Sequence, residues 1–195
     1  MVIKGKEFAE GIIIYEGEYY KDKKWTGKVY EENGNIYSEL INGNGQIKEY
    51  DFKGRLRFEG EYLNGEKNGK GKEYDWEGEV EFEGEYLNGK RWNGKGKEYY
   101  RNGELYFEGE YLNGKRNGKG REYNYDGKLE FEGEYLNGKR WHGKIKVYNY
   151  YNDKLEFEGK YLNGEINGEG KAYNYDGELM FDGEYINRKR KYDDD

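Results

Sequence analysis

Residues 107–120 read FEGEYLNGKRNGKG, and near copies of the first eight letters recur along the chain. The first residues of these copies lie 24, 25, 24, 26 and 24 residues apart, at Phe58, Phe82, Phe107, Phe131, Phe157 and Phe181. Tyr15 opens an earlier, degenerate copy, YEGEYYKD. A fixed pitch of this size is typical of a tandem repeat, in which one small unit is copied until neighbouring units bury each other.

The composition predicts an ordered β protein that is rich in aromatic residues. Only 33% of the residues are hydrophobic and 38% are charged, which alone would suggest disorder, but the chain contains 24 Tyr, 8 Phe and 4 Trp. Proline is absent and 32 residues are glycine. The turns therefore have to be made by Asn-Gly and Asp-Gly pairs, which tolerate positive φ and favour β-hairpins.

The charge pattern predicts the strand register. With Asp126-Gly127 taken as a two-residue turn, Arg121 falls opposite Glu132. The corresponding turn at Glu77-Gly78 places Lys72 opposite Glu83. Bases then face acids on one side of the sheet, whereas glycines meet aromatic rings on the other side.

The return turn at Asn113-Gly114 continues the chain into the next hairpin. A two-residue turn there predicts that Phe107 lies opposite Gly120 and Glu108 opposite Lys119. The predicted fold is therefore all-β: an elongated, single-layer, twisted antiparallel meander of tandem β-hairpin repeats.

The predicted domain organisation is one array over residues 1–187 with about eight hairpin units. Residues 1–13 form an N-terminal cap, 14–57 form degenerate units and 58–187 form the regular units. Residues 188–195 are interpreted as a charged C-terminal tail.

Catalysis, cofactor binding and metal binding are not expected. The chain has one His and no Cys, and Thr26 and Ser38 are its only Thr and Ser residues, so a Ser-His-Asp or Cys-His site is excluded. Carboxylate pairs are the only remaining option for acid-base chemistry, and because the repeated carboxylates already face lysines, glycosidase-like or calcium-binding use is not expected. A net charge of −7 argues against direct binding of nucleic acid or acidic lipid.

The segments FEGEYLNGKRNGKG and FEGEYLNGEKNGKG resemble the membrane occupation and recognition nexus (MORN) repeat. The resemblance runs from Tyr15 to Tyr185 and implies stacked antiparallel hairpins with non-catalytic roles: protein scaffolding, dimerisation or association with acidic phospholipids. The long pitch is similar to that of variant repeats in bacterial antitoxin-like and immunity-like proteins. The chain departs from the commonest pattern by using Phe and Tyr where Tyr and Trp are frequent.

Candidate partner-binding residues lie where the repeats deviate. Trp92 and Trp141 are single-residue insertions, and Trp25 occupies the matching place in an earlier copy. We expect these rings to project from loops or bulges along one edge, either as caps over their own hairpins or as binding anchors. The remaining candidates in this group are the flanking residues Arg91, Arg140 and His142.

A second deviation lies between Gly143 and Lys160. Ile145 and Val147 replace the usual Gly and Glu and complete the predicted partner-binding residues. Counting the strands places Lys144 opposite Lys160, and in the last repeat Glu169 opposite Glu184. Pairs of like charge break the pattern of the array, and such local conflicts are candidates for functional sites.

The favoured function is a cytoplasmic, non-catalytic scaffold that binds another protein through the curved sheet and the Trp-bearing edge. One alternative is an acidic inhibitor, antitoxin or immunity protein that blocks a basic nuclease or toxin. Another is a module that binds carbohydrate or phospholipid. Homodimerisation through a sheet face or an end strand stays open.

Overall fold

A computed structural model describes residues 1–191, and the described chain consists of β-strands joined by turns. The last four residues of the predicted charged tail lie outside the described part, whereas Lys189–Arg190 forms a short strand. The chain divides into two compact units, Met1–Gly96 and Lys97–Asp195.

In the first unit, four strands pair in chain order as one sheet, and five further strands pair in chain order in a second sheet. The first four are β1 (Val2–Ala9), β2 (Ile12–Tyr20), β3 (Lys23–Tyr30) and β4 (Ile36–Leu40). The next five are β5 (Gly45–Tyr50), β6 (Leu56–Leu63), β7 (Glu66–Tyr74), β8 (Val80–Leu87) and β9 (Lys90–Tyr99), which crosses the unit boundary.

The strands of the second unit are also antiparallel and pair in chain order. Its strands are β10 (Leu105–Leu112), β11 (Lys115–Tyr123), β12 (Leu129–Leu136), β13 (Lys139–Tyr148), β14 (Leu155–Leu162), β15 (Glu165–Tyr173), β16 (Leu179–Ile186) and β17 (Lys189–Arg190). The predicted all-β antiparallel meander is confirmed.

The register predicted from the charges is also confirmed. Arg121 pairs with Glu132, and an ion pair of 2.7 Å joins their side chains. Lys72 pairs with Glu83, with 3.1 Å between Nζ and Oε1. Because a slip by one residue would exchange the two faces, these pairs keep the charged and aromatic sides apart.

The turn at Asp126-Gly127 differs from the two-residue prediction. The Asn124 amide donates to the Lys128 carbonyl at 2.8 Å, which leaves a three-residue loop in which Gly127 has φ 76°. Tyr123 then pairs with Leu129 but Glu122 pairs with Phe131, so one extra residue bulges out. The longer loop and the bulge cancel, and the predicted pairs beyond them remain correct.

The predicted pairing of Phe107 with Gly120 and of Glu108 with Lys119 is wrong. Phe107 pairs with Glu122 and Glu108 pairs with Arg121, two residues further along β11. The cause is a wide bulge in which Gly118 has φ 89° and the Lys119 amide donates to the Glu110 carboxylate at 2.9 Å. A shift of two keeps each side chain on its face and each acid opposite a base.

The hairpins that contain an inserted tryptophan pair differently from the others. In β8/β9, Tyr86 pairs with Arg91 and Glu85 with Asn93, so Trp92 is a single-residue bulge. The same step occurs at Trp25 in β2/β3 and at Trp141 in β12/β13. The hairpins β6/β7, β10/β11 and β14/β15 have the wide bulge instead.

The core of the array lies on the aromatic side of the sheet. Phe107 packs edge-on against Tyr135 of the next repeat, with 5.1 Å between ring centroids, and Phe131 packs against Tyr161 in the same way at 5.6 Å. A Cβ on Gly109 would lie 2.6 Å from Cζ of Phe107, so the glycine leaves space for the ring. This confirms that the glycines make room for the aromatic layer.

Candidate functional site: a groove on the charged face

The charged side of the sheet carries a groove over β13 to β16, which we call the β13–β16 groove. Its volume is about 730 Å³, and its floor is the backbone of Ile145, Gly159, Gly170 and Gly183. One wall, the outer row, consists of Lys146, Glu158, Lys171 and Asp182. The other wall, the inner row, consists of Lys144, Lys160, Glu169 and Glu184.

The two rows differ in how their charges are ordered. The outer row alternates between base and acid from strand to strand, as in the regular repeats. In the inner row Lys144 lies opposite Lys160, and Glu169 lies opposite Glu184, so the predicted like-charge pairs are confirmed. This wall therefore has a basic end over β13 and β14 and an acidic end over β15 and β16.

The like charges are held in place by neighbouring opposite charges. Lys160 Nζ lies 2.8 Å from a carboxylate oxygen of Glu169, and Lys191 Nζ lies 2.8 Å from Glu184. The ammonium of Lys160, through its hydrogen bond and its charge, lowers the pKa of Glu169 below the ordinary value for a glutamate. Even so, the Glu169 side chain is 82% exposed and can contact a ligand.

A comparable groove over the first unit shows the regular charge order. It has a volume of about 560 Å³ and lies above Gly60, Gly71 and Gly84. In its walls Lys72 opposes Glu83 and Lys70 opposes Glu85, so neither wall has a basic end and an acidic end. The separation of one wall into a basic end and an acidic end thus distinguishes the β13–β16 groove from this groove.

The three inserted tryptophans are half-buried in strand bulges rather than in loops. The Trp25 ring packs against Tyr20 at 5.2 Å between centroids, and it lies so close to Gly43 that a Cβ there would be 2.8 Å from it. The Trp141 ring contacts His142 at 5.1 Å. These positions match the expectation of bulges, and Trp25 folds over the neighbouring turn as a cap would.

Arg91 and Arg140 are engaged within the sheet. Arg91 donates to Glu73 and Glu81, each at 2.6 Å, and its guanidinium lies 5.2 Å from the ring centroid of Phe82. Arg140 pairs with Glu122, which is 6% exposed. Each guanidinium thus joins carboxylates of neighbouring strands, which indicates that both arginines stabilise the scaffold.

The other predicted site residues separate into buried and accessible positions. Ile145 is part of the buried core cluster, so its side chain is not available to a partner. His142 is half-buried and accepts a hydrogen bond from the Asn163 amide through Nδ1 at 3.4 Å. Thr26 and Asn117 cap the following turns in the same way, which gives His142 a structural role. Val147 is 37% exposed.

The sequence reasoning missed a row of exposed aromatic rings at the tips of the opposite turns. Each ring follows the Asp or Asn that caps its turn, and the exposed fractions are 76% for Phe52, 61% for Trp76, 57% for Tyr125, 93% for Tyr150 and 63% for Tyr175. The recurring DFKG, DWEG and NYDG segments were the available signal. This signal was missed because the same segments were already explained by their role in forming the turns.

A comparison with protein families matches the MORN repeat at residues 58–75, 82–104, 107–128 and 157–178. These four segments are similar to MORN repeats. Such repeats are generally non-catalytic modules that bind proteins or lipids. The MORN matches support no antitoxin-like or immunity-like subtype. A comparison with curated proteins gave no match.

The MORN matches bracket the deviating part of the array. Residues 131–156, which contain Lys144 and Ile145, lie between two matched segments, whereas the groove residues from Glu158 to Lys171 lie inside one. Among residues 1–191, no helix has the length and hydropathy to cross a membrane, and no cluster of His, Cys, Asp or Glu could hold a metal ion.

Proposed function

We propose that the chain is a non-catalytic scaffold whose β13–β16 groove binds an extended segment of a partner protein. The main evidence is the charge order of the inner row, in which two lysines are followed by two glutamates. The partner segment would place acidic residues over Lys144 and Lys160 and basic residues over Glu169 and Glu184, because opposite charges set the direction of binding.

The shape of the groove supports an extended ligand. Its walls are formed by side chains two residues apart on each strand, such as Glu158 and Lys160, and this separation is about 7 Å. An α-helix with its side chains is about 10–12 Å wide and would not fit between the walls. An extended strand fits better, and its alternating side chains could reach both rows.

The test uses a library of displayed random peptides and a pair-swapped variant, Lys160→Glu with Glu169→Lys. The double substitution keeps the net charge and the neighbouring pair of opposite charges, and it restores Lys144 opposite an acid and Glu184 opposite a base. We expect peptides selected on the wild-type chain to carry an acidic end and a basic end, and to lose roughly tenfold or more in affinity for the variant.

A matched control makes the same swap on the charged face of the first sheet, Lys4→Glu with Glu18→Lys, which exchanges one opposed pair and creates no pair of like charges, because Thr26 lies opposite Glu18 on its other side. This variant should bind the selected peptides as the wild-type chain does. Equal binding to both variants, or selected peptides without charge order, would contradict the proposed groove.

A further inference from the structure

The second unit exposes four tyrosine rings at three consecutive turn tips, and we call this group the tyrosine row. It consists of Tyr125, Tyr150, Tyr151 and Tyr175, whose exposed fractions run from 57% to 93%. By contrast, Phe107, Phe131 and Tyr135 are almost fully buried in the core of the same unit. Since rings in water add little to stability, their repeated placement at turn tips indicates a binding surface.

Hydrogen bonds inside each turn hold the row in a defined conformation. Asn124 accepts from the amides of Asp126 and Lys128 at 3.1 and 2.8 Å. Asn149 and Asn174 make the corresponding bonds in the next two turns. The backbone that carries each ring is therefore fixed before a ligand arrives.

Further hydrogen bonds join each turn to the next one. Lys128 donates from Nζ to the Asp153 carbonyl at 2.9 Å. Asn152 donates from Nδ2 to the carbonyl of Tyr175 at 2.9 Å, and Lys154 donates from Nζ to the carbonyl of Asp176 at 2.9 Å. The three turn tips thus form one connected edge rather than three independent loops.

The repeat sets the spacing of the row. Consecutive turns on this edge are separated by two strands, which corresponds to about 10 Å. That distance is close to the length of a disaccharide, so consecutive turns can contact alternate sugars of an extended, β-1,4-linked chain. The nonpolar C–H faces of such sugars pack on aromatic rings, and the hydroxyl groups can bond the Asp and Lys side chains between the rings.

The charge of this edge argues against other macromolecules. The three turns contain four acids, Asp126, Asp153, Asp176 and Glu178, and two bases, Lys128 and Lys154. A net negative edge repels the phosphates of nucleic acid and of acidic lipid surfaces. An uncharged ligand that is rich in hydroxyl groups carries no such penalty.

We propose that the tyrosine row is a binding site for an uncharged, extended β-1,4-linked polysaccharide, with Tyr125, Tyr150 and Tyr175 as stacking platforms. This site is distinct from the β13–β16 groove. It lies on turn tips rather than on the charged sheet face, and it takes a different class of ligand.

The experiment measures retention of the full chain in native gels that contain soluble β-1,4-linked glucan, xylan or mannan, together with binding to insoluble cellulose and chitin. We expect binding to at least one of these polymers. Replacing Tyr125, Tyr150, Tyr151 and Tyr175 by Ala should reduce that affinity roughly tenfold or more, whereas the four Tyr→Phe changes should preserve it.

Two control variants test whether binding depends on the tyrosine row itself. Phe8→Ala removes a ring of β1 that is 57% exposed and not part of a turn tip, and it should leave polysaccharide binding unchanged. The swapped groove variant, Lys160→Glu with Glu169→Lys, should also bind the polysaccharide normally. The proposal is overturned if none of these polymers binds the chain or if the Ala variant binds as well as the wild-type chain. It is also overturned if the chain binds anionic vesicles through the tyrosine row and binds no polysaccharide.

Discussion

At the scale of single residues, the structure depends on glycines that face each other across strands. A Cβ on Gly17 would lie 2.4 Å from the Thr26 carbonyl oxygen and 2.5 Å from the Cα of Gly27. These are backbone atoms and cannot move aside as a side chain can. The need for glycine here is steric, because a methyl group has no room between the paired strands.

We therefore expect Gly17→Ala to lower the free energy of unfolding by about 2–3 kcal/mol. Gly5 pairs with Gly17 but lies on the edge strand β1, where the nearest atom to an added Cβ is a Tyr19 ring carbon at 3.1 Å. Gly5→Ala should cost less than about 1 kcal/mol, since that ring can shift. Urea unfolding of both variants is the measurement, and equal costs would contradict the steric origin of the effect.

At the scale of the hairpin, one inserted residue accompanies a change of register. In β12/β13, with Trp141, Phe131 pairs with Ile145. In β10/β11, without an insertion, Phe107 pairs with Glu122, whereas Ile145 corresponds to Gly120 in the repeat, so the two registers differ by two positions of the repeat. Both registers keep the aromatic side and the charged side, because they differ by an even number of residues.

Deleting Trp141 should therefore convert β12/β13 to the wide-bulge register, with Phe131 opposite Val147. The Glu134 carboxylate could then accept the amide of Lys144, as Glu110 accepts that of Lys119 in β10/β11. Cross-strand nuclear Overhauser effects between Cα protons report the pairing directly. A deletion variant that keeps Phe131 opposite Ile145 would show that the tryptophan does not set the register, and Trp141→Ala, which keeps the chain length, is the control.

At the scale of the whole molecule, buried tyrosines make stability sensitive to alkaline pH. Burial, together with the nearby carboxylates of Glu73 and Glu122, raises the pKa of Tyr86 and Tyr135 above the ordinary value for tyrosine. In the unfolded chain these hydroxyls ionise near pH 10. Their contribution to stability is thus complete below that pH and is lost as the pH rises towards their folded-state pKa values.

We expect the free energy of unfolding to fall by more than about 1 kcal/mol between about pH 9 and pH 11. The double variant Tyr86→Phe with Tyr135→Phe should lose less over the same range, because two ionisable groups are gone. Tyr150→Phe is the control, since Tyr150 is 93% exposed. Urea midpoints measured along the pH series test this, and the same fall in the double variant and the wild-type chain would refute it.

Most of the fold could be predicted from the sequence, because one pattern was repeated often enough to be read several times. The pitch of the Phe residues and the alternation of Lys and Glu predicted the meander, and the Asp126-Gly127 and Glu77-Gly78 turns predicted the pairs Arg121–Glu132 and Lys72–Glu83. The like-charge pair of Lys144 and Lys160 was predicted as well. Opposition across these ladders follows from counting along the chain, whereas the wide bulge of β10/β11 made the same count fail for Phe107.

The tertiary structure alone decided which side chains remain available. The sequence placed Arg91, Arg140 and Ile145 among the binding candidates, but the two arginines bond carboxylates of neighbouring strands, and Ile145 is buried. The position of bulges, the burial of side chains and the bonds between turns depend on how the strands pack together. They cannot be predicted from composition and residue spacing alone. The sequence by itself determined the repeated scaffold, whereas packing determined which deviations from it face solvent and can bind.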